Sequence, residues 1–426
     1  MKILEKAYLI FALIFLANGV IQTDVGENVG PRLPSAYLLL GQVFIFAILA
    51  ILLAIHWKEA IFGLRRSGWL MALCGLAIAS AVWSVDPPFA LRRAIVLLAT
   101  TMFGLYLASR FDWDEQLSLY AWMSVVAIAG CWFMVVVFPQ YGISHDIHFG
   151  SIKGLFAHRS MMARQMVFAI LTLGLARPKG MPTVVRWLAL AGAVTLLAFS
   201  FAATSWVAAA VCLAVYPILH LLRVRSKRTL PLWVVLTPVF ALLAYLLIAN
   251  FGLVLEATGK DSTLTGRIPI WHAAISAISQ RPFLGYGYQT FWNRGGAIIF
   301  INPYPNHAHD GYLDLLLDMG IVGLLVFLCG FALSFWRAGK LFQADSINGA
   351  KWPLLFMIFF GLFNLTESNI TRPLTFLWVP YVSIFVSMAI MEFEGRLPAA
   401  VPDGDFEPDD DGGGSESPAA IPSYGA

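Results

Sequence analysis

The chain is organised by repeated apolar runs, each close to the roughly 20 residues an α-helix needs to cross the hydrocarbon core of a bilayer. About twelve can be read, at about 7–22, 36–56, 68–84, 90–109, 117–138, 163–177, 184–200, 203–222, 231–253, 310–337, 352–367 and 374–393. The sixth and eleventh are short. This pattern predicts an all-α polytopic membrane protein with about 12 transmembrane helices. Composition agrees, since only 12% of residues are charged, against roughly 25% in soluble domains. A net charge of +3 is too small for a reader of nucleic-acid phosphates. The 14 Trp suit aromatic belts at the two membrane interfaces. Cys74, Cys131, Cys212 and Cys329 each sit inside an apolar run with no CxxC spacing, so they read as small buried hydrophobes. The first run lacks a small-residue cleavage site and is expected to remain as an anchor.

Most Lys and Arg fall in segments that lie inside if the N-terminus is cytoplasmic, which predicts both termini on that side. Two outer loops then stand out. One, at about 139–162, holds His145, Asp146, His148, Lys153, His158 and Arg159, with Arg164 just beyond. The other, at about 254–309, is the longest connection, and long loops in compact proteins are usually functional. Residues 1–396 form the multi-span domain. Residues 397–426 are acidic, without a base, and carry a Gly-Gly-Gly-Ser stretch, as expected of a solvated disordered tail. No internal repeat suggests a transporter built from inverted halves.

Within the long loop, Thr265 suits a helix N-cap and Pro269 a first turn. Ile268, Trp271, Ala274, Ile275 and Ile278 recur at helical spacing, predicting a short interfacial helix with one apolar face. Arg267 falls in its first turn, where it would clamp a phosphate bidentately or pair with headgroups, Glu256 or Asp261. Arg281-Pro-Phe-Leu-Gly285-Tyr286-Gly287 follows, with glycines that permit a tight turn. The aromatic cluster of Tyr286, Tyr288, Phe291 and Trp292 suits sugar rings and a membrane interface equally. His309 and Asp310 then stand at the mouth of the tenth run, and Asp310, Asp314 and Asp318 share one helix face. Carboxylates on an apolar helix call for a cavity or a partner. His309 could take a proton from a hydroxyl; a capping Asp beside an interfacial His fits the same spacing. The one DxD-like string, Asp112-Trp-Asp114, lies inside by the charge pattern and reads as the start of the fifth helix.

Taken together, Thr265-Gly-Arg267 with Trp271, Arg281-Pro-Phe-Leu-Gly285-Tyr-Gly287, and His309-Asp310 followed by nine residues and Gly320 resemble the O-antigen ligase and Wzy-type polymerase superfamily. Gly154-Leu-Phe-Ala-His158-Arg159-Ser160 is similar to the family's Gly-x-Phe-x-His-Lys-Asn segment, in a form closer to exopolysaccharide polymerisation proteins. Two departures are visible. Ligases often carry an Arg after Ser in the turn between spans seven and eight, where this chain reads Thr204-Ser205-Trp206; Arg159 and Arg164 are then the candidates to supply the cation. The residue after the motif histidine is usually Asn, Ser or Gln and is Asp310 here.

The resemblance implies an inner-membrane glycosyltransferase with a large periplasmic loop carrying short helices before its tenth span. It would polymerise undecaprenyl-diphosphate-linked oligosaccharide repeat units into exopolysaccharide or O-antigen on the periplasmic face. The alternative is a ligase moving finished glycan onto lipid A core; a transporter or flippase fits less well, because the charges gather in loops and at span mouths. His309, Arg267 and Asp310 are the expected catalytic residues. Arg159, Arg164, Arg281, Trp271, Tyr286 and Asp314 are expected to bind diphosphate or glycan. No cofactor is expected, and arginines would replace a metal at the leaving diphosphate. Expected partners are the lipid-linked oligosaccharide and membrane lipids, with the pathway's chain-length regulator and flippase as further candidates.

Overall fold

The computed structural model describes residues 2–17, 35–145, 150–225, 267–293, 307–344 and 347–397. The expected ninth span, the Thr265 cap, Asp146, His148, residues 254–266 and 294–306 of the long loop and the acidic tail beyond Leu397 lie outside the described residues. Among the described residues the protein is all-helical, with one isolated β-bridge between Ile143 and Ile152.

The helices, in chain order, are α1 (Lys2–Leu16), α2 (Ser35–Ile55), α3 (Trp57–Leu64), α4 (Gly68–Ala79), α5 (Pro87–Arg110), α6 (Trp113–Val137), α7 (Pro139–Gly142), α8 (Arg159–Leu175), α9 (Thr183–Phe199), α10 (Ala203–Arg225), α11 (Arg267–Gln280), α12 (Gly311–Phe342), α13 (Trp352–Phe363) and α14 (Trp378–Phe393). Their starts are written in the sequence. The Asp86 carboxylate accepts from Phe89 N and is followed by two prolines, fixing α5. Asp112 accepts from Glu115 N at 2.8 Å and starts α6, so the DxD-like string is a helix start. Asp114, next along, pairs with Lys179 at 2.6 Å.

Among the described residues, three helices are long and apolar enough to cross a membrane: α5, α6 and α12. A fourth span is possible where Leu39–Ile55 continues into α3 across a 95° bend. The apolar runs predict about twelve. Several runs are helices of 10–17 residues, and α13 is buried along nearly its whole length, so its apolarity serves packing against protein. Trp352 of α13 stacks on Tyr120 of α6 at 5.6 Å and on Phe356 at 5.4 Å. Phe168 of α8 meets both Trp352 and Phe376 edge-on, closing an aromatic core between α6, α8 and α13. Large apolar side chains such as Leu39, Val43, Phe44, Val184 and Leu188 face outward instead, a surface suited to lipid. Cys74, Cys131 and Cys212 are buried as expected, whereas Cys329 is exposed on α12.

One interruption positions the site. α12 breaks at Gly320, with φ 64° and ψ −163°, a combination open essentially to glycine alone. The turn that follows α11 docks into the break. Ile321 N donates to Pro282 O at 2.8 Å, and Tyr286 N donates to Leu317 O at 2.7 Å. Backbone groups orphaned by the break thus find partners in the turn. A Cβ on Gly320 would lie 2.2 Å from Phe283 O, and one on Gly285 2.5 Å from Leu317 O. The glycines of the two sequence motifs are therefore two halves of one backbone contact.

Candidate functional site

Helix beginnings converge on one cavity of about 570 Å³. Arg159 opens α8, Ala203 opens α10 and Arg267 opens α11, and all three line it. Free backbone N–H groups and the positive ends of three helix dipoles therefore favour an anion there. Five arginines reinforce them: Arg93, Arg159, Arg164, Arg267 and Arg372. His158, His307 and His309 share the wall, and Glu367 is the one carboxylate among the described lining residues.

Each arginine is held. Arg159 Nη1 donates to the carbonyls of Ser200, at 3.2 Å, and Phe201. Those carbonyls belong to the turn between α9 and α10, just before Thr204-Ser205-Trp206. Arg164 donates to Asn369 Oδ1. Arg93 Nε donates to Gln289 Oε1 at 2.7 Å. Arg267 Nη1 donates to Thr366 O at 2.7 Å, while its Nη2 lies 3.1 Å from Glu367 Oε1. Arg372 Nη2 is 4.0 Å from Asp314 Oδ2.

His309 is presented by a gripped peptide. Ala308 N donates to Asp314 Oδ1 at 2.9 Å, and Ala308 O accepts from Trp271 Nε1 at 2.9 Å. The same Asp314 oxygen accepts from Trp292 Nε1 at 2.8 Å. Both backbone polar groups of Ala308 are thereby fixed, and His309 adopts φ 53°, a left-handed conformation that costs a non-glycine residue roughly 1–2 kcal/mol. Thr371 and Leu374, flanking Arg372, also have positive φ. Strain of this kind persists where surrounding contacts over-determine it. Asp310 accepts from Tyr312 N and Leu313 N and caps α12; burial raises its carboxyl above the usual range, partly offset by these bonds.

Glu367 joins the two halves of the site. Its Oε1 meets Arg267, and its Oε2 lies 3.7 Å from His309 Nδ1. Burial alone would push the Glu367 carboxyl up; the adjacent His309 imidazole and the Arg267 guanidinium outweigh it and bring the pKa down to about 2. His307, 4.0 Å from His309 between ring centroids, is lowered to about 2 by burial with help from Arg372. It is neutral at pH 7. His307, His309 and Glu367 offer ligand atoms all within 4.8 Å of one another, a spacing open to a metal ion. Arg267 competes for the same carboxylate.

Of the residues singled out in the sequence, the cavity gathers Arg159, Arg164, Arg267 and His309. Trp271, Asp314 and Asp310 stand behind it, holding the histidine turn and the start of α12. Arg281 and Tyr286 lie at the far end of α11. There Arg281 packs over the Tyr286 ring at 5.0 Å, and the Tyr286 hydroxyl donates to Ala277 O. The buried stripe of α11 is Ile270, Ala274 and Ala277, rotated from the expected face; Ile275 is 56% exposed. Phe291 and Leu317 pack on that stripe and set the rotation. Glu367, Arg372, Arg93 and His307 were not singled out. For Glu367 and Arg372 the sequence signal is the charged interval they bound between two strongly apolar runs.

Residues 188–328 match the family model described as O-Antigen ligase. Exopolysaccharide production protein ExoQ of Rhizobium meliloti (strain 1021) is 25% identical over 323 residues, covering 70% of this chain and 71% of that protein. A putative polysaccharide ligase of Rickettsia felis is 35% identical over 71 residues, 15% of this chain and 17% of that protein. A similar protein of Rickettsia typhi is 36% identical over 74 residues, covering 15% and 18%. The His309 motif, the Arg267 helix and the interlocked glycines all fall within the matched stretch, and these matches support a place in the O-antigen ligase/Wzy-type superfamily.

Proposed function

We propose that the protein polymerises undecaprenyl-diphosphate-linked oligosaccharide repeat units into exopolysaccharide or O-antigen on the periplasmic face of a bacterial inner membrane. The observation that carries the reading is the cavity in which five guanidinium groups and three helix starts surround the His309 imidazole. A diphosphate leaving group needs that positive field, and an acceptor hydroxyl needs that base.

The chemistry follows from the geometry. Arg267, Arg159, Arg164 and Arg372 hold the diphosphate. The acceptor hydroxyl oxygen attacks the anomeric carbon while its proton passes to His309. The old carbon–oxygen bond breaks, and its electron pair stays on the diphosphate, where the arginines stabilise the developing charge. Asp314 and Trp271 orient the base through the Ala308 peptide. Asp310 acts through the start of α12. Arg281, Tyr286 and the aromatics beside them offer a surface for glycan outside the cavity. The guanidinium groups take the place of a divalent metal.

The likeness to ExoQ, long in both chains, the lack of an arginine at Trp206 and the His158-Arg159 loop favour polymerisation. The rickettsial proteins and the O-Antigen ligase model favour the second reading, a ligase. Deletion separates them. Loss of a polymerase leaves single repeat units on the carrier lipid; loss of a ligase leaves full-length polymer there. Single repeats are expected, and full-length polymer would overturn the assignment.

A further inference from the structure

We propose that Glu367 is a positioning residue with two alternative partners: it pairs with Arg267 while the cavity lacks an anion, and it turns to orient His309 once a diphosphate has taken the guanidinium. The proposal rests on the reading of the cavity as a diphosphate site, and it adds an order of events to it.

The carboxylate is split between two groups. Oε1 makes a hydrogen-bonded ion pair with Arg267 Nη2 at 3.1 Å. Oε2 lies 3.7 Å from His309 Nδ1, about 0.5 Å beyond hydrogen-bond reach. Nδ1 of His309 has no hydrogen-bond partner among the described residues. In the proposed second state the glutamate rotates to close that gap and Oε1 leaves the arginine. Arg267 does not depend on Glu367 alone, because Thr366 O accepts from its Nη1 at 2.7 Å. It therefore keeps its place when the carboxylate leaves.

A diphosphate carries more charge than a carboxylate and engages the guanidinium fork bidentately, so it displaces Glu367 from Arg267. The freed carboxylate has His309 as its nearest donor. His307, beside it, is held neutral by burial and does not compete as a cation, while Arg164 and Arg372 remain as its distant positive neighbours. A carboxylate on Nδ1–H fixes the tautomer that leaves the Nε2 lone pair for the acceptor hydroxyl. No bond is made or broken at Glu367. The proton removed from the acceptor rests on His309, and the carboxylate stabilises the imidazolium. The base is thus aligned only after the donor has bound.

The test uses the full-length protein in detergent with inorganic diphosphate as the calorimetric probe, and polymer output in a strain lacking its own copy. Glu367→Gln removes the competing charge at equal size. Diphosphate should bind on the order of tenfold tighter while polymer output falls on the order of tenfold. A merely structural role weakens both together. Glu367→Asp keeps the charge on a shorter stem, so binding should stay near wild type while output falls. Unchanged or weaker binding by Glu367→Gln, or normal output from it, overturns the two-partner role. Failure of the wild type to bind diphosphate, with Arg267→Ala making no difference, would instead sink the diphosphate reading itself.

Discussion

Replacing Asp314 by alanine separates a residue that binds glycan from one that holds the catalytic turn. Asp314 is only 6% exposed, and its Oδ1 accepts from Ala308 N at 2.9 Å and Trp292 Nε1 at 2.8 Å. Truncation leaves both donors unpaired in a buried place, at about 1–3 kcal/mol each. The loss of stability is therefore about 2–6 kcal/mol, at the lower end if water enters the space. The functional effect is larger than that figure suggests. His309 holds a left-handed backbone beside Ala308, whose N–H and C=O are both pinned. With the N–H end released, a displacement near 1 Å costs about 10²-fold in rate. Turnover on a lipid-linked oligosaccharide, with kcat and KM measured separately, and thermal unfolding in detergent provide the readouts. The expected outcome for Asp314→Ala is a kcat about 10²-fold lower with little change in KM. Asp314→Asn keeps an acceptor oxygen and should recover most of the rate. A raised KM at normal kcat would refute the positioning role and return Asp314 to direct glycan contact.

Three further outcomes are expected. Gly320→Ala forces a side chain into a glycine-only conformation with its Cβ 2.2 Å from Phe283 O, so it should destabilise by about 3 kcal/mol or more; a melting temperature equal to wild type contradicts the interlocked turn. Acid should destabilise the fold from near pH 6.5 downward, because His307 has a folded pKa of about 2 against an ordinary 6.5. The unfolded chain binds the extra proton in that window, so stability rises with pH across it, by up to about 1.4 kcal/mol per unit. Below about 4.5, Glu367, lowered to about 2, adds a second loss in the same direction. His307→Gln should flatten the slope above pH 4.5, and an unaltered slope would count against His307 as its source. Activity in washed membranes should survive EDTA; loss restored by a divalent ion would assign His307, His309 and Glu367 to a metal in place of the arginine chemistry.

Local signals in the sequence carried well. Asp112 as a helix start, Arg267 in the first turn of a short helix, and the spacing from His309 to Gly320 all depend on neighbours within a few residues or on one backbone conformation. Features set by distant packing did not. Glu367 is 58 positions beyond His309. It reads as the tail of an apolar run and reaches the site because the segment between α13 and α14 folds back over α12. There Asn364 O accepts from Gly311 N, and Asn364 Oδ1 accepts from Asn369 N and Ile370 N. The rotation of α11 was likewise decided by Phe291 and Leu317, which periodicity within the helix cannot report. Apolarity marked where helices lie but not which are long enough to span, since a core helix such as α13 is as apolar as one facing lipid.

The most direct measurement is an incubation of purified protein with synthetic undecaprenyl-diphosphate-linked oligosaccharide, resolved by product size. Wild-type protein should build a ladder of lengthening glycans with release of carrier diphosphate, and His309→Ala should give none. A ladder from His309→Ala at the wild-type rate would contradict imidazole-assisted transfer in the arginine-lined cavity.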